Sequence, residues 1–311
     1  MDAANKLLKT IKSFNLASAT SSLYIIKRTL AHRTAKYEVF QVNADEKLRK
    51  KLRDISISTI QKSNIATEYD YNTADLDDNL LDIETAETDF QEIIDAISAE
   101  QEPMLANTIE QLLDSWMYVA RLDIKNKPPL YAARRISEAW TTKKVSQLIS
   151  MIFKDNMLID IEQQQIFRID GKIDFFSYDG ITFIADKRNF ETALNFREGM
   201  EKNRDEIVEE FKALKLFDNA ADVSSFVGNN IKRLRRLSQI KKSGYYKDPK
   251  FLENLKKVND DENWGIKYSE TGQLLVTEDD IETVLRVLNN DRLTSKINAE
   301  NFDVDVKHKL G

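Results

Sequence analysis

The stretch QIFRIDGKIDFFSYDGITFI, residues 165–184, decides the fold class. Two Asp-Gly pairs, at 170–171 and 179–180, separate short runs that are rich in aromatic and β-branched residues. Asp-Gly is typical of the two-residue turns that join antiparallel strands. The stretch therefore predicts a three-strand antiparallel meander with strands near 165–169, 172–178 and 181–184.

Outward from this stretch, the chain before it reads as further strands. Thr20–Lys27 and Tyr37–Val42 are rich in β-formers and flank a polar turn, which predicts a hairpin. Trp116–Ile124 is a strongly apolar strand candidate, and Leu130–Ile136 returns after a turn that contains two prolines. These segments extend the antiparallel sheet predicted at 165–184.

The chain after residue 184 changes to helical spacing. Apolar residues recur at helical intervals from Phe190 to Phe217, and Ile281 to Leu288 carries an i, i+3, i+4, i+7 stripe. The sequence thus predicts an α+β fold, a mostly antiparallel sheet followed by a helical C-terminal part. Pro103 marks the predicted domain boundary. Residues 1–104 are predicted to form an N-terminal α/β region with the hairpin and an acidic stretch, and residues 105–311 the sheet and C-terminal helices.

Composition excludes several kinds of chemistry. Among 311 residues there is no cysteine, and the two histidines are His32 and His308. Thiolate catalysis, cysteine-ligated metals and a histidine-based triad therefore lack their side chains. No glycine-rich phosphate loop occurs. The N-terminus lacks a secretory h-region and no apolar run approaches membrane-spanning length. We expect a cytoplasmic protein without a cofactor, which does not itself insert into a membrane and for which enzymatic activity is not the favoured interpretation.

One stretch is basic although the chain carries a formal charge of -6. Residues 226–247, FVGNNIKRLRRLSQIKKSGYYK, contain seven lysines and arginines and no carboxylate. A helix over Val227–Lys242 would bury Val227, Ile231, Leu234 and Leu237 and turn a row of cations to solvent. Such a row beside two tyrosines suits a polyanion such as nucleic acid. The alternative is an ordinary solvated helix face.

A second basic block surrounds the predicted strand at 130–136. Together the two blocks supply the DNA-binding candidates, with contacts expected mainly to phosphates. The candidates are Lys232, Arg233, Arg235, Arg236, Lys241, Lys242, Lys247, Arg134, Arg135, Lys143 and Lys144. We predict no catalytic and no metal-binding residue.

The interval between Lys62 and Arg121 is acidic, with fifteen carboxylates and no lysine or arginine. Three interpretations stay open: a solvated surface, a docking face for a basic partner, or a flap that competes with nucleic acid for the protein's own cations. The lysine- and arginine-rich cytoplasmic loops of a membrane protein would suit such a docking face.

A magnesium-dependent nuclease is an alternative function. Asp114 followed by Asp123-Ile124-Lys125 imitates the spacing in which two carboxylates hold Mg²⁺ and a lysine orients water. The competing interpretation is an ion pair at the end of a strand. A further alternative is a non-enzymatic scaffold that docks on a membrane protein.

The segment FRIDGKIDFFSYDGITFIADKRNFETALNF, with the early LYIIKR run and the chain length, resembles the KwaB family of the Kiwa anti-phage defence system. The likeness covers most of the chain, with its core from about Trp116 to Leu288. It rests on no catalytic motif, so no active-site residue is transferred.

This resemblance implies a cytoplasmic protein that works with a small multi-pass membrane partner, KwaA, and is recruited to the inner membrane through it. It also implies DNA binding that interferes with phage DNA replication and late transcription. The sequence leaves self-association as a homo-oligomer open, together with the preference for DNA or RNA.

Overall fold

The computed structural model describes residues 2–71, 78–99, 103–136, 140–142, 151–154, 157–160, 165–167, 171–295, 297–298 and 300–304. The chain divides into two compact units. Unit 1 comprises residues 1–68 and 75–194, and unit 2 comprises residues 69–74 and 195–311. The boundary between residues 104 and 105 stays a prediction, and it falls within the range of unit 1.

Unit 1 combines a large sheet with helices. Its helices are α1 (Ala3–Lys12), α2 (Glu46–Lys62), α3 (Phe90–Ser98) and α4 (Lys187–Ala193). Its strands are β1 (Thr20–Ala31), β2 (Thr34–Val42), β3 (Ala66–Glu68), β4 (Leu80–Glu84), β5 (Met104–Leu105), β6 (Ser115–Asp123), β7 (Leu130–Arg135), β8 (Trp140–Thr142), β9 (Met151–Lys154), β10 (Met157–Asp160), β11 (Gln165–Phe167), β12 (Phe175–Tyr178) and β13 (Ile181–Ile184).

The main sheet of the described residues has nine strands in the order β3-β4-β13-β12-β7-β6-β1-β2-β5. Its pairs are antiparallel except β2 with β5 and β3 with β4, which are parallel. The predicted N-terminal hairpin is confirmed, with Leu23 opposite Val42 and Ala31 opposite Thr34. Together with the helical C-terminal region, this confirms the predicted α+β class.

The main sheet is covered on both faces, because its central strands carry apolar side chains at successive positions and successive side chains point to opposite faces. Phe176 points into a core shared with α1. Its neighbour Phe175 points the other way, with its ring centroid 4.9 Å from that of Phe90 on α3 and 5.1 Å from that of Phe190 on α4. Near-continuous burial along β6 has the same cause, since strands buried on both faces lose their polar alternation.

The stretch 165–184 folds as predicted in its second half. Tyr178 pairs with Ile181 around Asp179 and Gly180, whose φ angles of 50° and 80° give the two-residue turn that Asp-Gly favours. The first half differs. Gln165–Phe167 pairs with Trp140–Thr142 in a separate two-stranded sheet, and β12 takes β7 as its other neighbour. β12 pairs with β7, an apolar strand about 40 residues earlier in the chain. Turn residues report only on adjacent strands, so they do not reveal this pairing.

Unit 2 is mainly helical. Its helices are α5 (Phe196–Leu214), α6 (Ala220–Val227), α7 (Ile231–Ser243), α8 (Pro249–Glu262) and α9 (Ile281–Leu288). Its short strands are β14 (Lys267–Tyr268), β15 (Leu274–Leu275), β16 (Arg292–Thr294) and β17 (Asn301–Asp303). Phe211, Leu237, Tyr246 and Leu285 are fully buried in its core. Across the described residues, no helix has both the length and the apolar character needed to span a bilayer.

Candidate nucleic-acid interface

The basic helix α7 begins four residues later than the sequence predicts. Gly228, with a φ of 50°, ends α6, so Val227 belongs to that preceding helix. Asn230 then caps α7 by accepting hydrogen bonds from the backbone N–H groups of Lys232 and Arg233. Of the predicted apolar stripe, Leu234 and Leu237 are fully buried as expected, whereas Ile231 at the start of α7 is exposed and its predicted burial is wrong.

Carboxylates of neighbouring segments neutralise much of this helix. Arg233 Nε lies 2.9 Å and Arg236 Nη1 2.7 Å from the carboxylate oxygens of Glu282 at the start of α9. Lys241 pairs with Glu206 on α5. Beyond the helix, Lys247 Nζ lies 2.7 Å from Glu210. The expectation of an uninterrupted cationic row is therefore wrong for these four side chains.

Arg236 has a structural role inside unit 2. Its side chain is 8% exposed, and its Nε also lies 3.9 Å from the buried carboxylate of Asp291. Lys232 and Lys242 are exposed and Arg235 is half-buried. Contact between these three side chains and DNA stays a prediction. Lys143 and Lys144 lie outside the described residues.

Arg134 anchors a buried carboxylate in unit 1. Its Nη1 donates to Asp174, which is fully buried and also accepts from the backbone N–H of Arg135 at 2.8 Å and from Asn189 Nδ2 at 3.1 Å. Burial raises the pKa of Asp174, while these hydrogen bonds and the charge of Arg134 oppose the rise. Arg134 thus holds β7 against the start of α4.

Arg135 belongs to a different environment, which we call the arginine–tryptophan cluster: Arg28, Trp116, Arg135 and Arg188. The Cζ atoms of Arg28 and Arg135 lie 4.5 Å and 4.8 Å from the ring centroid of Trp116. Trp116 Nε1 donates to the carbonyl of Ala193 at 3.0 Å, and Arg28 Nη1 to that of Thr192 at 3.0 Å. The indole and Arg28 are thereby fixed against the end of α4.

The fold brings the cluster together from four elements. β1, β6 and β7 are consecutive in the sheet and supply Arg28, Trp116 and Arg135. Asp186 starts α4 by accepting from the backbone N–H of Asn189 at 2.9 Å, which orients the first turn that carries Arg188. Arg188 is exposed, and the other three side chains are half-buried.

The electrostatics of the cluster are positive and partly desolvated. Burial lowers the pKa of the Arg135 guanidinium, the charge of Asp174 raises it, and the charges of Arg28 and Arg188 lower it further. An arginine keeps its proton at neutral pH even so. Within the described chain, neither Arg135 nor Arg188 forms an ion pair with a carboxylate. Two guanidiniums close enough to act on each other electrostatically are suited to an oxyanion such as a phosphate.

Asp114 and Asp123, the two carboxylates of the nuclease alternative, are too far apart to bind the same Mg²⁺. Asp114 immediately precedes β6 and Asp123 ends it, so nine residue steps place them roughly 30 Å apart. Two ligands of one Mg²⁺ lie about 2 Å from the ion. Asp123 instead accepts from Arg121 Nε at 2.9 Å, which agrees with the competing ion-pair interpretation. Within the described chain, no group of three or more potential metal ligands comes together.

Comparison with known families decides the relationship. The family model described as "Kiwa protein KwaB-like" matches residues 112–298, more than half of the chain. The chain belongs to this family. Membership in the KwaB-like family confirms the resemblance and places the protein in Kiwa anti-phage defence. No curated protein and no solved structure matches the chain.

The KwaB-like match includes most of the cluster. Trp116, Arg135 and Arg188 lie inside the matched range, as does all of α7, whereas Arg28 lies outside it. The sequence named Arg135 as a candidate but missed its three companions. A signal existed for Arg188, because the sequence predicts a basic turn at 187–189; in the structure this residue lies in the first turn of α4. None existed for Arg28 and Trp116, because only the pairing of β1, β6 and β7 brings them together.

Proposed function

We propose that this KwaB-like chain acts in phage defence by binding DNA, largely through phosphate contacts from the arginine–tryptophan cluster. The observation that carries the proposal is the pair Arg135 and Arg188, two neighbouring guanidiniums with no carboxylate partner among the described side chains. A phosphate would supply a counter-charge in direct contact with both guanidiniums. Contacts of this kind position a protein on nucleic acid without reading the base sequence.

Pre-organisation favours Arg135 for this role. Its guanidinium packs on Trp116, and its backbone N–H donates to Asp174. Less side-chain entropy is therefore lost when it contacts a phosphate than for a freely rotating lysine. Bound to DNA, the protein would obstruct phage DNA replication and late transcription, as the family resemblance implies.

The direct test is the double variant Arg135→Ala with Arg188→Ala, titrated with fluorescent duplex DNA at several salt concentrations. Each lost phosphate contact makes the slope of log K against log salt shallower by about 0.9. We expect the slope to change by about 2 and the affinity to fall on every duplex sequence alike. The matched control is Arg49→Ala with Lys50→Ala, two exposed cations of α2.

Equal affinity and slope for the wild type and the Arg135/Arg188 variant would refute this interface. Loss of affinity in the control as well would show a response to net charge alone. The variant Lys232→Ala with Lys242→Ala tests the other candidate surface. It spares Arg236, whose removal would disturb the ion pairs of unit 2.

We further propose that the acidic stretch docks this protein on its membrane partner, the KwaA of the family resemblance. Glu84, Glu87, Glu92 and Asp95 are exposed on neighbouring segments, and none forms an ion pair with a lysine or arginine of the described residues. Such a face is complementary to lysine- and arginine-rich cytoplasmic loops. Docking there would hold a cytoplasmic protein at the inner membrane.

Charge reversal tests the docking. Glu92→Lys with Asp95→Lys is expected to abolish most co-sedimentation with vesicles that contain KwaA, because attraction becomes repulsion. Glu253→Lys with Glu270→Lys changes the charge equally on exposed positions of unit 2 and serves as the control. Undiminished co-sedimentation of the first variant would rule out this face.

A further inference from the structure

A cavity of about 360 Å³ opens in unit 1, away from the arginine–tryptophan cluster. It lies between α3, the turn at 179–180 and the ends of β6 and β7 that are opposite to Trp116. Ile94, Pro128 and Pro129 give it apolar walls. The volume falls in the range of pockets that hold small organic molecules.

One end of the cavity carries buried hydroxyl groups with more protons than they can share. Thr85 Oγ1 lies 2.9 Å from Ser177 Oγ and 2.9 Å from Thr182 Oγ1, and the three side chains are at most 3% exposed. The three hydroxyl groups have three protons, but only two hydrogen bonds join them. One proton is therefore left to donate to another acceptor. If Thr182 kept that proton it would be buried away from the cavity, whereas Ser177 lines the cavity. The arrangements that leave Ser177 or Thr85 as the donor avoid that desolvation cost, because both residues line the cavity.

Further donors line the opposite side. Ser98 Oγ and Tyr131 Oη lie 2.6 Å apart, so this pair also has one hydroxyl proton beyond its single contact. Arg121 binds Asp123 through Nε, and a guanidinium has five N–H donors in a fixed fork. Arg121 is also a side-chain hydrogen-bond partner of Tyr24. The remaining N–H donors of its terminal amino groups are left for a ligand.

The cavity is rich in donors without being strongly positive. Asp123 offsets the charge of Arg121, and the exposed carboxylate of Asp179 lies at the rim. A free anion gains little from such a site. An uncharged flat ring with several acceptor atoms fits the walls and the donors better.

We propose that this cavity binds a guanine base. Guanine presents O6 and N7 as adjacent acceptors, which an arginine fork contacts with two parallel hydrogen bonds. Ser177 would donate to a further acceptor, and Pro129 and Ile94 would flank the ring. The base can come from a free nucleoside or from an unpaired guanine turned out of a nucleic acid. The proposal goes beyond phosphate binding and does not depend on it.

The test is a titration of the full chain with 2′-deoxyguanosine, followed by ligand-observed NMR. We expect saturable binding at least about tenfold tighter than that of 2′-deoxyadenosine, whose N6 amino group would meet the arginine donors. Arg121→Gln is expected to weaken binding by about tenfold, and Ser177→Ala by about threefold. Ser56→Ala removes an equally buried hydroxyl of α2, whose partner is the carbonyl of Leu52, and should leave binding unchanged.

Two oligonucleotide arms identify the source of the base. Competition by a hairpin with one unpaired guanine, stronger than by free deoxyguanosine and stronger than by the same hairpin with an unpaired adenine, would identify a nucleic-acid base. Competition no stronger than by the nucleoside would identify the free compound.

Absence of saturable binding of either guanine source, equal affinity for adenine, or an unchanged affinity in Arg121→Gln would overturn the proposal. These outcomes are separate from those of the Arg135/Arg188 variant, which retains the cavity. Thermal melts of each variant identify any that fail to fold, and Arg53→Gln provides a second arginine substitution outside the cavity.

Discussion

Arg236 has its guanidinium between two carboxylates, 2.7 Å from Glu282 and 3.9 Å from Asp291. Glu282 also binds Arg233, whereas Asp291 is 3% exposed and has Asn289 as another donor at 2.8 Å. Removing the arginine would take a cation away from a buried carboxylate. Arg236 therefore stabilises the packing of α7 against α9 rather than facing a ligand.

We predict that Arg236→Ala lowers the free energy of unfolding by about 3 kcal/mol, because it breaks a buried charge network. Lys232→Ala, one helical turn away and exposed, is expected to change it by less than about 0.5 kcal/mol. Urea unfolding of both variants measures the difference. An Arg236→Ala protein as stable as Lys232→Ala would mean that the network contributes nothing.

At the scale of elements, two hairpins use the same kind of turn with different residues. His32 and Arg33 join β1 to β2 with φ angles of 49° and 64°, and Asp179 and Gly180 join β12 to β13 with 50° and 80°. Positive φ at both turn positions matches the right-handed twist of the strands. Only Gly180 adopts this conformation without steric cost.

The two turns give opposite predictions. Gly180→Ala is expected to lower the free energy of unfolding by about 1 kcal/mol, because a Cβ is strained at that φ. His32→Gly is expected to raise it by about 0.5 kcal/mol, since relief of the same strain at this exposed position exceeds the added entropy of the unfolded chain. Chemical denaturation of the two variants provides the comparison. Equal shifts in one direction would contradict the assignment of both turns.

Elements with strong local signals could be predicted from the sequence, and elements defined by their partners could not. The Asp179–Gly180 hairpin and the apolar stripe of α7 follow from turn chemistry and helical spacing. By contrast, β3 and β5 span three and two residues and exist only because a neighbouring strand pairs with them. Gly228 shortened the predicted basic helix because a single glycine at positive φ ends a helix that the apolar spacing would continue.

At the scale of the whole molecule, charge counted along the chain predicts poorly which charges face a partner. The carboxylates that neutralise α7 come from α5, 35 residues before Lys241, and from α9, 46 residues after Arg236. The arginine–tryptophan cluster assembles from strands that are neighbours in the sheet but distant in sequence. Local composition located Arg135, whereas only the sheet order revealed what surrounds it.

The course of the backbone through the two units restricts how the protein can be dissected. Tyr69 belongs to unit 2, where its ring centroid lies 5.5 Å from that of Phe196, and Tyr71 packs against the same core. A protein fragment that starts at Asn195 would contain helices α5 to α9. It would lack Tyr69 and Tyr71, so Phe196 would lose its aromatic contact and become more exposed. To express unit 2 with all of its residues, one would join residues 69–74 to residues 195–311 in a circularly permuted chain.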